Sequence, residues 1–280
     1  MKSRNILYIV ISIICVIAIV LAVYYQIFGN DEKPSVVTNN IENIQINDTE
    51  EIDLEQIKNN FNNLFTNKLN TQGNEIVNIE KLNKEKEIIY VAYNIKEEKE
   101  EKYSININLP VFNIKGDIAS EFNQTTQKIF ADKASEILKG TEYYTIYNVE
   151  YVAYINENIL SLVIKSTLKE GANAQRVIVQ TYNYDLQTGE KANINEIINN
   201  KGVDKEQINK KIEKQVSYAA AQAELISQVT SQAVYKRDLN NAMYLIDNVN
   251  SFFIGEGGKI YIVYAYGNSN FTSEIDIIEI

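Results

Sequence analysis

Histidine and tryptophan are absent from this 280-residue sequence, which also has only one cysteine and two prolines. Without histidine the chain cannot build a Ser-His-Asp or Cys-His nucleophile, a His-ligated zinc or iron site, or an imidazole pH switch. A single cysteine excludes an intramolecular disulfide, a Cys-x-x-Cys redox pair and a cysteine-cluster metal site. Carboxylates, lysines, tyrosines and hydroxyls remain for unaided chemistry, and none of them forms a catalytic motif.

The charge balance is acidic, because 27 lysines and arginines stand against 37 aspartates and glutamates, a net charge of −10 near pH 7. Such a chain repels polyphosphate, so we expect no nucleic-acid partner. Hydrophobic residues make up 45% of the sequence, and glycine and proline are scarce. This composition predicts a folded core rather than general disorder.

One long apolar run lies near the N-terminus, at residues 6–28, and reads ILYIVISIICVIAIVLAVYYQIF without a charge. As a helix it spans roughly 34 Å, enough to cross a bilayer with some tilt. Lys2 and Arg4 precede it, whereas Asp31 and Glu32 follow it. The positive-inside rule therefore predicts a single-pass membrane protein with its N-terminus in the cytoplasm and its C-terminal domain outside the cell.

A cleaved signal peptide is the competing interpretation of this run. Val20 and Ala22 satisfy a small-residue cleavage rule, but the apolar stretch continues past them to Phe28, which favours an uncleaved anchor. The part outside the membrane then carries 25 basic and 37 acidic residues, a net charge of −12.

The rest of the chain predicts an α+β fold, in which antiparallel sheet is packed with about three helices. The helices are expected at about Glu50–Leu69, 117–140 and 204–229. Strands are expected at 87–95, 103–109, 142–155, 159–168, 176–184, 259–266 and 274–280. The predicted domains are 1–28, a short cytoplasmic end plus the anchor; 29–48, a linker; 49–158, a first α+β subdomain; and 159–280, a second α+β subdomain.

Local patterns support several of these elements. Residues 103–109 alternate apolar and polar side chains, and the charged stretch Lys96–Lys102 before them is expected to be a hairpin tip. Pro110 is expected to end that strand, and Gly140 to cap the second helix. The three strands between 142 and 184 are expected to form an antiparallel meander.

The candidate sites in the sequence have simpler structural interpretations. The glycines at 255, 257 and 258 predict a hairpin turn, since neither a helix nor a Lys-Ser/Thr pair follows them. Five oxygen-bearing residues lack the spacing of a calcium loop: Asp238, Asn240, Asp247, Asn248 and Asn250. Three carboxylates near the C-terminus invite a paired-carboxylate hydrolase interpretation: Glu274, Asp276 and Glu279. Glu274 and Asp276 alternate with isoleucines, so they are expected on the wet face of a last strand.

Tyrosine is abundant, with 19 residues, and tyrosines can stack on sugars or anchor interfaces. Five fall in the first strand of the meander and are expected to serve core and sheet packing: Tyr143, Tyr144, Tyr147, Tyr151 and Tyr154. We therefore predict no catalytic, cofactor-binding or metal-binding residue and no cofactor.

The segment LSLVIKSTLKEGANAQRVIVQTYNYDLQTGE, residues 160–190, followed by a long helix, resembles an extracytoplasmic domain of unknown function of Gram-positive bacteria. That domain is shared by sigma-V-type anti-sigma factors, which bind lysozyme, and by the non-catalytic part of some peptidoglycan deacetylases. Residues 88–158 look like the domain that precedes it. The family often has a Gly-Gly-Ala-His turn, where this chain has Glu170-Gly171-Ala172-Asn173.

The resemblance implies a recognition module alone, because the sequence carries neither a sigma-binding segment nor a deacetylase domain. We therefore predict a non-enzymatic, membrane-anchored module that binds or senses a cell-wall component, such as peptidoglycan, or a wall-acting protein such as a lysozyme. Two alternatives stand beside it: a carboxylate-based cell-wall hydrolase, and a structural partner of a membrane complex that acts through the N-terminal helix.

Overall fold

A computed structural model describes residues 52–71, 79–231, 233–267 and 274–280. The predicted anchor, 1–28, and linker, 29–48, lie outside these described residues. Within the four described ranges, no helix is both long enough and apolar enough to cross a membrane.

The helices agree with three of the predicted positions and add one. They are α1 (Leu54–Asn63), α2 (Asp117–Thr126), α3 (Asp132–Lys139), α4 (Ile194–Lys201) and α5 (Lys205–Thr230), and a π-helical segment, Gln127–Ala131, joins α2 to α3. The α2–α3 unit ends before Gly140, whose φ of 145° suits glycine, as predicted. Asp204 caps α5 by accepting a hydrogen bond from the backbone N–H of Glu206. The short helix α4 was not predicted.

The first helix is shorter than the predicted Glu50–Leu69, because the chain turns after Asn63. Asn67 adopts a positive φ of 56° and pairs with Tyr151 in both directions. Its backbone N–H donates to the Tyr151 carbonyl, and its side-chain oxygen accepts from the Tyr151 N–H. These bonds carry the chain into a strand rather than a further helical turn.

The strands form two sheets. They are β1 (Leu69–Thr71), β2 (Ile89–Lys99), β3 (Tyr103–Phe112), β4 (Thr145–Asn156), β5 (Ile159–Glu170), β6 (Arg176–Asp185), β7 (Phe252–Ile254), β8 (Ile260–Tyr266) and β9 (Glu274–Glu279). The large sheet has the order β2-β3-β4-β5-β6, with β1 beside β4, and the small sheet has the order β7-β8-β9. The meander β4-β5-β6 is antiparallel, as predicted.

The α+β class is confirmed, but the expectation of purely antiparallel sheet is wrong. β3 pairs with β4 in parallel, and so does β1. The α2–α3 unit connects β3 to β4 as a helical crossover, and such a connection allows the chain to re-enter the sheet in the same direction. Pro110 does not end β3 either, because the strand continues to Phe112 and the proline lies where the β2 register shifts, between Val91 and Tyr93. Proline is tolerated at such a bulge.

The sheets and helices stack around three buried clusters. One face of the large sheet packs on the α2–α3 unit, around Phe130 and Phe112. The other face packs on α1 and on the small sheet, around Phe253. The outer face of the small sheet packs on α4 and α5. The large sheet is therefore covered on both sides, which explains why β4 and β5 are buried at almost every position near their hairpin.

Residues 51–280 form one compact unit. The predicted boundary between 158 and 159 falls at the turn of the β4–β5 hairpin, whose strands pair from Asn156↔Ile159 to Thr145↔Glu170. The large sheet is therefore continuous across that boundary.

Buried tyrosines are expected to make this fold less stable at alkaline pH. Burial raises the pKa of Tyr154 and of Tyr261 to about 12, from the ordinary value near 10. The unfolded chain loses these protons near pH 10 while the folded protein keeps them, so stability is fully present below pH 10 and falls as the pH rises to 12. Urea unfolding at pH 8 and at pH 11 is expected to show a loss of at least about 2 kcal/mol. Equal stability at the two pH values would contradict this expectation.

Candidate functional site

Strand β6 forms one edge of the large sheet, and part of that edge pairs with no other segment that the structure describes. Asp185 and Asn183 turn their backbone groups away from β5: the Asp185 N–H donates to the Glu190 carbonyl, and the Asn183 carbonyl accepts from Ala192. Because backbone direction alternates along an antiparallel strand, positions 181, 179 and 177 face the same way. The backbone groups of these three residues form no hydrogen bond with any described residue.

The opposite edge, β2, is protected in the usual way. Its outer half carries four exposed charges, Lys96, Glu97, Glu98 and Lys99, and its register shift lies between Val91 and Tyr93. Charges and bulges prevent an edge strand from pairing with another chain. β6 has neither device, since no charged residue lies between Val177 and Tyr184.

Two cavities line the free edge and meet at Gln180. The first, of about 330 Å³, lies between α2 at Glu121 and Phe122 and the β7 region at Asn250 and Phe252. The second, of about 610 Å³, lies between the α2–α3 unit, at Ile129 and Lys133, and the end of β8 at Ala265, Tyr266 and Gly267. We call these two cavities together the β6 groove.

The floor of the β6 groove is uncharged and its ends are polar. At one end Glu170 pairs with Arg176 and, at 3.5 Å, with Lys133. At the other end the groove is lined by Glu121 and Lys191. Ile178 is the most exposed apolar residue of the strand, at 43% of its surface. The groove can therefore accept an elongated, largely uncharged group, and the one carboxylate that lines it among the described residues is that of Glu121.

A second concentration of polar groups lies in the core beside β9. Arg237 binds the Asp276 carboxylate through two hydrogen bonds, from Nε at 2.6 Å and from a terminal nitrogen at 2.9 Å. Arg237 also lies 3.1 Å from Glu274, and both its own side chain and that of Asp276 are buried. Burial alone would lower the pKa of Arg237, but the hydrogen bonds and charge of Asp276 outweigh it and raise that pKa above its ordinary value.

Tyrosines complete this cluster. The Tyr266 hydroxyl donates to Asp276 at 3.0 Å and lies 3.0 Å from the Tyr244 hydroxyl. Tyr235 stacks on the Tyr266 ring, and its backbone N–H donates to Glu274. Burial, then the negative charge of Asp276, raises the pKa of Tyr266 strongly. These bonds attach the segment that follows α5, around Arg237, to strands β8 and β9 of the small sheet, which is a structural role.

The three carboxylates considered from the sequence are all held in ion pairs. Glu279 pairs with Lys259 at 2.7 Å, while Glu274 and Asp276 are held by Arg237. The expectation that Asp276 lies on a wet strand face is wrong, because this residue is buried. Its bidentate arginine partner removes the cost of burying the charge.

The other residues singled out in the sequence lie apart from the β6 groove or take structural roles. Asp247 pairs with Lys205, and Asp238 accepts from the backbone of Asn240 in a turn. Within the described ranges, no group of three or more acidic or cysteine residues could hold a metal ion. Gly257 and Gly258 form the turn between β7 and β8 with positive φ angles, as predicted.

Three of the five meander tyrosines are buried as predicted, namely Tyr147, Tyr151 and Tyr154. Tyr143 and Tyr144 are exposed, because β4 begins only at Thr145.

Comparisons with known proteins were made at three levels. No protein-family model matches the chain, and no curated protein matches it. Among solved structures, the chain is similar to a protein from Pseudomonas aeruginosa, with 10% identity over 69% of this chain and 86% of that one and a TM-score of 0.36. It is also similar to a protein from Bacteroides fragilis, with 13% identity over 64% and 80% and a TM-score of 0.30.

Both structural neighbours are DUF3298 family proteins.

Sequence reasoning missed both the free β6 edge and the Arg237 cluster. An edge strand is defined by what does not pair with it, and the sequence of β6 reads like that of any half-buried strand. The position of Asp276 between two isoleucines was a possible signal of a buried charge, but its partner lies 39 residues away.

Proposed function

We propose that the chain is a membrane-anchored, extracytoplasmic and non-catalytic module that binds a cell-wall component or a wall-acting protein. The observation that carries this proposal is the β6 groove, an elongated recess with an uncharged floor beside a strand edge that pairs with no other described segment. The uncharged run at 6–28, with basic residues before it and acidic residues after it, supports the anchor and the orientation.

The ion pairs favour binding over hydrolysis. A glycosidase of the carboxylate type needs one acid and one base or nucleophile with different, accessible environments. Asp276 is buried under Arg237, and Glu274 shares the same arginine. These carboxylates are therefore occupied in holding the fold, and the β6 groove contains no pair to replace them.

The partner classes follow from charge and from the resemblance. A net charge of −12 outside the membrane attracts cationic proteins and speeds their encounter, although charge alone does not specify a partner. A lysozyme-like protein fits this, and so does the resemblance to sigma-V-type anti-sigma factors. Peptidoglycan is the other partner class, through the resemblance to deacetylase-associated modules.

Binding of the full-length protein, in detergent, to purified peptidoglycan fragments and to a cationic lysozyme tests the proposal. We expect a dissociation constant of about 10 μM or tighter for one of the two, without release of labelled sugar or peptide from the peptidoglycan. The Glu274→Gln variant, at a partly exposed carboxylate, is the control for turnover, with its fold checked by circular dichroism. Binding to neither probe would contradict the proposal, and turnover that this variant abolishes would support the hydrolase alternative.

An exchange of the N-terminal segment separates the proposal from the third interpretation. Residues 1–28 are replaced by an unrelated single-pass anchor, and binding is measured again. The proposal predicts unchanged affinity, whereas a structural partner acting through its own helix would lose its function.

A further inference from the structure

We propose that the free edge of β6 binds an extended polypeptide segment, which adds to the large sheet as a further strand. The inference rests on the proposed binding function and names its site and the chemical class of its partner.

The unused backbone groups match those of a polypeptide. One backbone N–H and one C=O point outward at each of Val177, Val179 and Thr181. Alternate residues of a strand are about 6.8 Å apart. An extended peptide has the same repeat and the complementary donors and acceptors, which is the basis of strand addition. A glycan has no such regular alternation, so its hydroxyls would pair with only part of this edge.

The shape of the β6 groove favours a single strand over a second copy of this protein. The edge lies between the wall formed by α2 and α3, at Phe122 and Ile129, and the wall formed by the small sheet, at Ala265 and Phe252. Two copies that paired edge to edge would also have to accommodate both pairs of walls against each other, whereas a lone extended segment needs only the space beside the edge. A lone extended segment fits between the walls.

The side chains of the groove define the chemistry of the segment. No charged side chain lies between Val177 and Tyr184, and the charged residues that line the groove lie at its ends, where Lys133 and Arg176 pair with Glu170. A charged residue placed against the middle of the edge would lose hydration without finding a partner. The expected segment is therefore about five uncharged residues rich in β-branched or aromatic side chains, as strands prefer.

Amide hydrogen exchange of the full-length protein in detergent tests the inference. The probe is a degenerate pool of nine-residue peptides, capped by lysine at both ends, with only Ser, Thr, Val, Ile and Tyr between. At millimolar peptide we expect exchange at Val177, Val179 and Thr181 to slow by at least about tenfold. N-acetylglucosamine oligomers form the second arm and are expected to leave these amides unchanged.

Two variants and one matched control test the site. Val177→Pro removes an outward N–H that bonds to no described residue, so the β5–β6 ladder is kept while the edge is blocked. Ile178→Lys places a charge on the edge, as the lysines and glutamates of β2 do on the opposite edge. This second variant keeps the inference testable if the proline variant fails to fold. Ile146→Lys changes a similarly exposed residue of β4, at 37%, outside the β6 groove.

The inference predicts that both edge variants abolish the peptide-induced protection and that Ile146→Lys keeps it. No protection by the pool, or equal protection in the edge variants, would overturn it. Protection by the sugar oligomers alone would also overturn it, in favour of a glycan. Wall-fragment or lysozyme binding that persists in both edge variants would leave the proposed function standing while the β6 site fails.

Discussion

Replacing Arg237 with methionine is expected to lower the free energy of unfolding by about 3–5 kcal/mol. The change leaves Asp276 buried without the two hydrogen bonds and the opposite charge that now compensate it. Glu274 loses the same partner, although it is partly exposed and can be hydrated. Urea unfolding at neutral pH, followed by far-UV circular dichroism, measures the loss.

The exposed ion pair of the same sheet provides the control. Lys259→Met removes the partner of Glu279, but both groups reach water, so we expect a cost below about 1 kcal/mol. The double variant Arg237→Met, Asp276→Leu should regain part of the stability, since it removes the uncompensated charge. A loss of less than 1 kcal/mol, about the cost of a surface pair, in Arg237→Met would show that Asp276 is not the buried anion described above.

Phe253→Ala is expected to cost about 3–5 kcal/mol as well, through a cavity between the two sheets. Phe253 is fully buried in β7 and stacks on Tyr261 of the neighbouring strand, with ring centroids 4.6 Å apart. It also lies against Phe61 of α1 and Tyr154 of the large sheet. One side chain thus joins three elements, and its loss removes contacts that no neighbour can replace without moving a whole layer.

Leu225→Ala is the matched control for this cavity. Leu225 lies on α5 and is 55% exposed, so its truncation should change stability by no more than about 0.5 kcal/mol. Chemical unfolding of the two variants in parallel measures the difference. Similar losses for Phe253→Ala and Leu225→Ala would contradict the packing of the small sheet on the large one.

The spacing of apolar residues and the helix-capping residues were enough to locate most helices and strands of the fold. The alternation that starts at Tyr103 predicted β3, and its apolar positions Ile105, Ile107 and Leu109 are all buried. Asp204 and Gly140 marked a helix start and a helix end correctly. In these segments local preference and tertiary packing agree, so the sequence alone is informative.

Features that depend on contacts between segments far apart in the sequence were not predictable in the same way. The parallel pairing of β3 and β4 follows from the path of the α2–α3 crossover. Short elements such as β1 and β7, of three residues each, have too few positions to show a period.

The candidate site is the extreme case of this limit. The residues of β6 were predicted as a strand, but the role proposed for them depends on the absence of a further strand beside β6 among the described residues. Two features indicate a binding edge only when they occur together: the uncharged stretch of Val177–Tyr184 and its position at the edge of the sheet. The sequence shows the first feature, and only the fold shows the second.

Residue-resolved amide exchange along β6 in the unliganded full-length protein tests the central claim, a free strand edge, most directly. The account predicts an alternating pattern, with slow exchange at Ile178, Gln180 and Tyr182, which face β5, and fast exchange at Val177, Val179 and Thr181. Uniformly slow exchange along the strand would show that the edge is already paired and would contradict the claim.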